Sequence, residues 1–171
     1  MTSATTTTVT STIETAVTGS VDEALRDTFV KMLDVEPRQL DSRRLSAPTS
    51  AFDGDDSVIT VVVGLTGGLN GSIAITLSER SAIRWTEGLL GGTLETIDQD
   101  VVDAVGEPGN VVVGGTKSRL SEYELTMSLP TVIHGGVGSM GLQSGAMTWG
   151  MLYEFDGCQA RLLIALREPN A

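Results

Sequence analysis

The stretch Gly64–Gly92, GLTGGLNGSIAITLSERSAIRWTEGLLGG, decides the fold class. Its centre, GSIAITL over 71–77, puts Ile73 and Ile75 on one face and Ala74 and Thr76 on the other, which is the period of a β-strand. Upstream, SVITVVVGL over 57–65 is rich in β-branched residues and reads as a second strand. The glycine-rich TGGLNG joins the two, and Asn70-Gly71 within it is a hairpin signal, since both residues tolerate the positive φ of a tight turn. Downstream the period changes. A short helix is expected from Ser78 or Glu79 to Leu90, closed by Gly91-Gly92.

On the N-terminal side, Val21, Leu25, Phe29 and Met32 recur at three- and four-residue steps and predict a helix. Ser20 and Glu23 have the spacing of a capping box at its start, and Pro37 closes the segment. Before it, MTSATTTTVTST carries little apolar surface, so a disordered tail is expected over 1–16, followed by a single domain over 17–171. Residues 38–56 are polar and end in the acidic DGDD. On the C-terminal side a second helix is expected from near Asp98 to about Leu120. ELTMSLPTVIHG, GAMTWGMLYEF and CQARLLIAL then alternate like strands, with Asp156-Gly157 as the turn between the last two. The order helix, two strands, two helices, three strands reads as α+β, with helices packed on an antiparallel sheet.

The chain has 171 residues, of which 40% are hydrophobic and only 4% aromatic, so aliphatic side chains must build its core. Its formal net charge of -11 disfavours nucleic-acid phosphates and anionic membrane surfaces as partners. It contains one cysteine, Cys158, and one histidine, His134. That count excludes an intrachain disulfide and any zinc site built from four cysteines or from pairs of cysteine and histidine. No run of about 18 apolar residues is present, and the N-terminus lacks a signal-peptide pattern, so a soluble cytoplasmic protein is expected.

The helix at 98–120 carries the chemistry. With Asp103 at 0° and about 100° per residue, Glu107 falls near 40°, Asn110 near 340° and Gly114 near 20°. Val101, Val105, Pro108 and Val112 lie on the opposite side, between about 140° and 200°. One face is apolar; the other lines up a carboxylate, a carboxylate, a carboxamide and a glycine. Lys117, near 320°, stands at the border of that surface, where a solvated lysine is the simpler account. Any solvent-facing helix surface carries Asp, Glu and Asn. But Asn is a mediocre helix former, and the same stretch holds Gly106, Pro108, Gly109, Gly114 and Gly115, a composition unsuited to a helix built for stability alone. A glycine on the polar face also lets another backbone or a ligand come close.

Asp103-x3-Glu107-x2-Asn110 resembles the D/S-x3-E-x2-N signature of the CheC/CheX/FliY phosphatases, bacterial proteins that dephosphorylate the chemotaxis response regulator CheY. Gly64–Gly92 resembles that family's hairpin, strand and following helix. DAVGEPGNVVVGGTKSRLSEYELTMSLPTVIHG, residues 103–135, resembles its motif helix and subsequent strand. The similarity spans roughly residues 20–168 and carries a single motif, as CheX does; the first helix, DEALRDTFVKML, has no second one.

The resemblance implies a two-layer α+β sandwich of the CheC-like fold, with about three helices on an antiparallel sheet of about six strands, the sixth within 38–50. It implies a phosphatase acting on the aspartyl phosphate of a CheY-type receiver domain. Asn110 would orient the attacking water, Glu107 would dock against the receiver's active-site Lys, and Asp103 would support docking, with Gly114 and Lys117 on the partner surface. The enzyme would need no cofactor of its own, since the receiver brings Mg²⁺. A homodimer paired through sheet edges is implied as well. Pro108 departs from the family pattern. Either the helix accommodates it, or a new helix begins near Glu107 and Asp103 leaves the shared face. In the second case a receiver-binding adaptor without turnover becomes the alternative; a structural subunit of a flagellar assembly is a third reading.

Other motifs carry less. Gly136–Gly141 fits G-x-G-x-x-G, but a strand rather than a helix is expected after it, so a glycine-rich connection is the better account. GGTKS at 114–118 lacks a glycine directly before Lys117 and lies in a predicted helix, which rules out a phosphate loop. His134 is expected to be structural or exposed, Cys158 a small buried hydrophobe, and Trp85 and Trp149 packing residues. The acidic run at 53–56 reads as a solvated loop with a weak cation site as its alternative.

Overall fold

Alternating apolar strands give a sheet with one face to cover, and helices cover it. The computed structural model describes residues 3–45, 58–134 and 145–169, with side chains from Thr12 onward. The acidic run at 53–56 and the glycine-rich 136–141 lie outside the described residues. The chain runs α1 (Ser3–Thr28, continuing through a π-helical turn at Phe29–Leu33), β1 (Arg38–Arg44), β2 (Val58–Thr66), β3 (Asn70–Ser78), α2 (Glu79–Leu90) and α3 (Gln99–Arg119). After a 3₁₀ turn at Ser121–Tyr123 come β4 (Thr126–Met127), β5 (Thr131–His134), β6 (Met147–Phe155) and β7 (Cys158–Arg167). All pairings are antiparallel, in the order β1-β6-β7-β3-β2-β4, with β5 beside β4 on β2. No helix is long and apolar enough to cross a membrane among the described residues.

The α+β class and the expected sixth strand are present: β1 falls inside 38–50. The segment read as one strand over ELTMSLPTVIHG is instead two, because Pro130 has no N–H for the ladder and the chain leaves β2 between Met127 and Thr131. The hairpin between β2 and β3 is also present, but its loop is Gly67–Leu69. Asn70 and Gly71 already belong to β3, and the Asn70 side-chain oxygen accepts from the Gly67 amide at 3.2 Å. At Gly71, where φ is +148°, a Cβ would lie 2.0 Å from the Ala165 carbonyl oxygen, so glycine is required by strand proximity. Asp156-Gly157 turns as expected, both with positive φ.

The largest departure is at the N-terminus. The sequence reading places a disordered tail over 1–16 and a cap at Ser20, whereas α1 starts at Ser3 and Ser20 lies within it. The apolar stripe simply continues backwards: Val17 and Val21 are fully buried, and Ile13 and Ala16 pack beside them. Burial of that stripe outweighs the weak helix propensity of threonine. Thr18 and Thr28 each donate a hydroxyl to the carbonyl four residues earlier, at 2.8 and 2.7 Å, so their polar groups cost little inside a helix.

Between the layers lies one core. Phe29 from the π turn, Trp85 from α2 and Phe155 from β6 meet edge to face, with centroids 4.7 to 6.0 Å apart. Ile59, Val61, Val63 and Leu65 of β2, with Ile73, Ile75 and Leu77 of β3, supply the sheet side. Cys158 is buried, as expected. Trp85 is core, while Trp149 is half-buried and donates to the Ser42 hydroxyl at 2.8 Å. His134 ends β5 exposed.

A polar clamp fixes α1 to the sheet edge. The buried Tyr153 hydroxyl donates to Asp22 at 2.7 Å and accepts from Gln39 at 2.9 Å, while Asp22 also pairs with Arg26 at 2.9 Å. Burial first, and then the Asp22 carboxylate, push the Tyr153 phenol well above its ordinary value of 10.0. The folded chain therefore keeps a proton that the unfolded chain loses. Stability from this group is complete below pH about 10 and falls as pH rises further. Thermal melts between pH 8 and about 11.5 are expected to show that fall, with a shallower slope for Tyr153→Phe, which also loses about 1 kcal/mol at neutral pH.

Candidate functional site

Asp98 opens α3 by accepting from the Val101 amide at 3.0 Å, a side-chain cap where the sequence places the helix start. The helix then runs unbroken through Pro108 to Arg119. Of the two expectations for Pro108, the accommodated one holds. Its ring is buried, and the missing N–H leaves only the Ala104 carbonyl without its usual partner.

Continuity of the helix keeps the predicted stripe together. Asp103 and Glu107 are exposed, and Asn110, Gly114 and Lys117 are half-buried along the same outward face. Val101, Val105, Pro108 and Val112 are all buried, as the wheel requires. Asp103 is tied locally, accepting from Gln99 Nε2 at 2.8 Å. Among the described residues no side-chain hydrogen bond or ion pair engages Glu107, Asn110 or Lys117. The Asn110 amide is thus held at a fixed height on a rigid helix, with its donors and acceptor available to something outside the protein.

The glycines have a different explanation from the one the sequence suggests. Three of them serve internal packing. A Cβ on Gly109 would lie 2.7 Å from Val61 Cγ1 of β2. One on Gly106 would lie 3.3 Å from Val132 Cγ2 of β5, and one on Gly115 3.1 Å from Ala24 Cβ of α1. They let α3 sink against the sheet and α1. Gly114 alone belongs to the outward stripe, and its nearest neighbour is the Met127 sulfur at 3.9 Å. At its C-terminus α3 is held to α1 by Arg119, which pairs with Asp27 at 2.7 Å and Glu23 at 3.2 Å. These contacts hold the Asp27 carboxyl below its ordinary range, the Arg119 hydrogen bond first and Lys31 second.

Asp103 and Glu107 of the stripe are open to solvent. A recess of about 130 Å³ lies instead on the sheet face away from the helices, between Asp41, Arg43, Thr76, Gly150 and Arg161. A row of outward-facing side chains suits a group delivered on the surface of another macromolecule better than a free small molecule.

Residues 59–149 match the family model of the chemotaxis phosphatase CheX. The chain belongs to the CheX chemotaxis phosphatase family. It is 29% identical over 123 residues to the CheY-P phosphatase CheX of Thermotoga maritima, covering 70% of this chain and 74% of that one. Its fold is similar to a CheC-like superfamily protein from Shewanella sp. PV-4, with a TM-score of 0.78, 24% identity, and coverage of 89% of this chain and 97% of that one. It is also similar to a chain of the CheX-CheY-BeF3-Mg²⁺ complex from Borrelia burgdorferi, with a TM-score of 0.67, 21% identity, and coverage of 88% and 97%. Within the CheX family match lie α2, α3, strands β3 to β5 and all of β2 but its first residue, so the stripe falls inside the matched residues.

Sequence reading missed the apolar surroundings of the stripe. Val111 on α3 is 43% exposed, and Leu129, read as part of a strand, is 88% exposed. Pro130 was the available signal, since proline in an apparent strand marks a break in the ladder.

Two outcomes follow for stability. Asn110→Ala and Glu107→Gln are expected to stay within about 0.5 kcal/mol of the parent in urea unfolding, because neither side chain holds the fold together. Gly109→Leu is expected to lose about 2 kcal/mol or more by overpacking against Val61, whereas Gly114→Ala holds or gains up to about 1 kcal/mol from helix propensity.

Proposed function

We propose that this protein accelerates hydrolysis of the aspartyl phosphate on a CheY-type receiver domain, with Asn110 orienting the attacking water. The observation that carries this reading is the pairing of Glu107 and Asn110 one turn apart, outward-facing on an unbroken helix and without internal partners. Aspartyl-phosphate hydrolysis is an in-line displacement in which positioning and charge stabilisation do most of the catalysis. The receiver contributes Mg²⁺ and a lysine to the phosphoryl group, so a helper has only to place the water. A carboxamide suits that role: its oxygen accepts a hydrogen bond from the water, and its neutrality avoids repulsion by the phosphoryl oxygens. Glu107 pairs with the receiver's lysine and sets the register. Asp103 and Lys117 border the contact, and Gly114 leaves room for the partner's surface.

The relative named as a CheY-P phosphatase and the Borrelia complex of CheX with CheY support the choice of partner. A docking-only role draws its support from Pro108, and the helix continues through that residue. In the same reading the enzyme carries no cofactor of its own and works as a homodimer joined through a sheet edge, which sedimentation velocity measures directly.

The decisive experiment follows phosphate loss from receiver domains charged with acetyl phosphate, using several candidate receivers from the same genome. Acceleration by the parent protein is expected, with a loss of about a hundredfold or more in maximal rate for Asn110→Ala. Glu107→Gln is expected to raise the receiver concentration needed for half-maximal rate. Binding to a receiver without acceleration would select the adaptor reading.

A further inference from the structure

Of the exposed large hydrophobic side chains among the described residues, Leu129 stands out at 88% exposure. Its position is set by contacts on both sides. Met127, two residues before it, faces α3 at Gly114, where an added Cβ would lie 3.9 Å from its sulfur, and Val132, three residues after it, faces α3 at Gly106, where an added Cβ would lie 3.3 Å from its Cγ2. Gly106 and Gly114 are two helical turns apart, about 12 Å along the axis, with Asn110 midway. The short link between Met127 and Val132 therefore runs abreast of Asn110.

The link is also held still. The Ser128 amide donates to the Gly64 carbonyl at 2.9 Å, and the Gly64 amide donates to the Ser128 hydroxyl at 2.9 Å. That hydroxyl donates in turn to the Leu129 carbonyl at 2.8 Å. Pro130 fixes the next φ before β5 rejoins the sheet at Thr131. The backbone is thus ordered in advance, while the leucine it carries contributes almost no burial to the fold. An apolar side chain on a rigid mount gains free energy when a partner covers it and loses little entropy in doing so.

We propose that Leu129 is a docking residue for the phosphorylated receiver domain, inserting into an apolar patch on the receiver next to its phosphorylation site. This rests on the function proposed above, because the occupant follows from the position of Asn110. A protein that brings a phosphoryl group to Asn110 also covers the adjacent link. The receiver is then required to carry that patch within about 10 Å of its phosphorylated aspartate, roughly one helix diameter from the stripe. The stripe's own contact with the receiver is polar, through Glu107 to the receiver's lysine and Asn110 to the water, so apolar burial has to come from elsewhere. Leu129 supplies an uncharged source next to the chemistry.

The test compares Leu129→Ser, Leu129→Met and Asn110→Ala in receiver titrations. With the parent active, Leu129→Ser is expected to raise the half-saturating receiver concentration about tenfold or more at unchanged maximal rate. Leu129→Met retains the parent value, and Asn110→Ala loses rate instead. An unchanged half-saturation value for Leu129→Ser overturns the docking role and leaves the phosphatase reading standing. If the parent binds a beryllofluoride-charged receiver but gives no turnover, the phosphatase reading fails alone, and a tenfold weaker binding by Leu129→Ser still supports the docking role. Absence of both binding and turnover overturns both. A change in oligomeric state in Leu129→Ser places the leucine between two copies of the chain and also overturns the proposal.

Discussion

The depth at which α3 sits against the sheet fixes everything at the candidate site. Gly109 faces Val61, Gly106 faces Val132 and Gly115 faces Ala24, all at separations that leave no room for a larger side chain without displacement. Each glycine within a helix costs up to about 1 kcal/mol relative to alanine, so three of them on one helix carry a real penalty. Close packing against β2, β5 and α1 offsets it. The outcome is a helix that cannot slide or rotate without colliding with the sheet or its neighbouring helix, and the outward stripe inherits that rigidity.

Rigidity of this kind is what a positioning mechanism needs. A side chain whose task is to place one water molecule gains from a backbone that does not move, since a misplacement of about 1 Å is costly in rate. Pro108 fits the same scheme. Buried on the inner side of α3, it interrupts one backbone bond without breaking the helix, and the outer side keeps Asp103, Glu107 and Asn110 in line. The surface beside them is then completed by a different element, the β4–β5 link, whose course is set by Gly64 and Pro130.

Much of this was legible in the sequence, and the exceptions share a cause. The strand-to-helix change across 64–92, the helix start near Asp98 and the Asp156-Gly157 turn are local signals, and local chemistry decided them. The acidic and amide stripe was legible too, because a helical period is a property of consecutive residues. The N-terminal extent of α1 was not. Its threonines argue against a helix, and only the sheet and neighbouring helices against which Val17 and Val21 pack make helix the better state. The glycines of α3 were legible as unusual but not as packing residues, since Val61, Val132 and Ala24 are far away along the chain.

The sequence by itself determined the α+β class, the helix that bears the motif and the shared face of Glu107 and Asn110. Periodicity, caps and turn residues act over a few positions and need no partner. The tertiary structure alone decided that Pro108 stays inside one helix, that Gly106, Gly109 and Gly115 face neighbours while Gly114 faces outward, and that Met127 and Val132, which flank Leu129, face α3 on either side of Asn110. Each of these depends on which distant residues share a surface, and that is settled only when the layers pack.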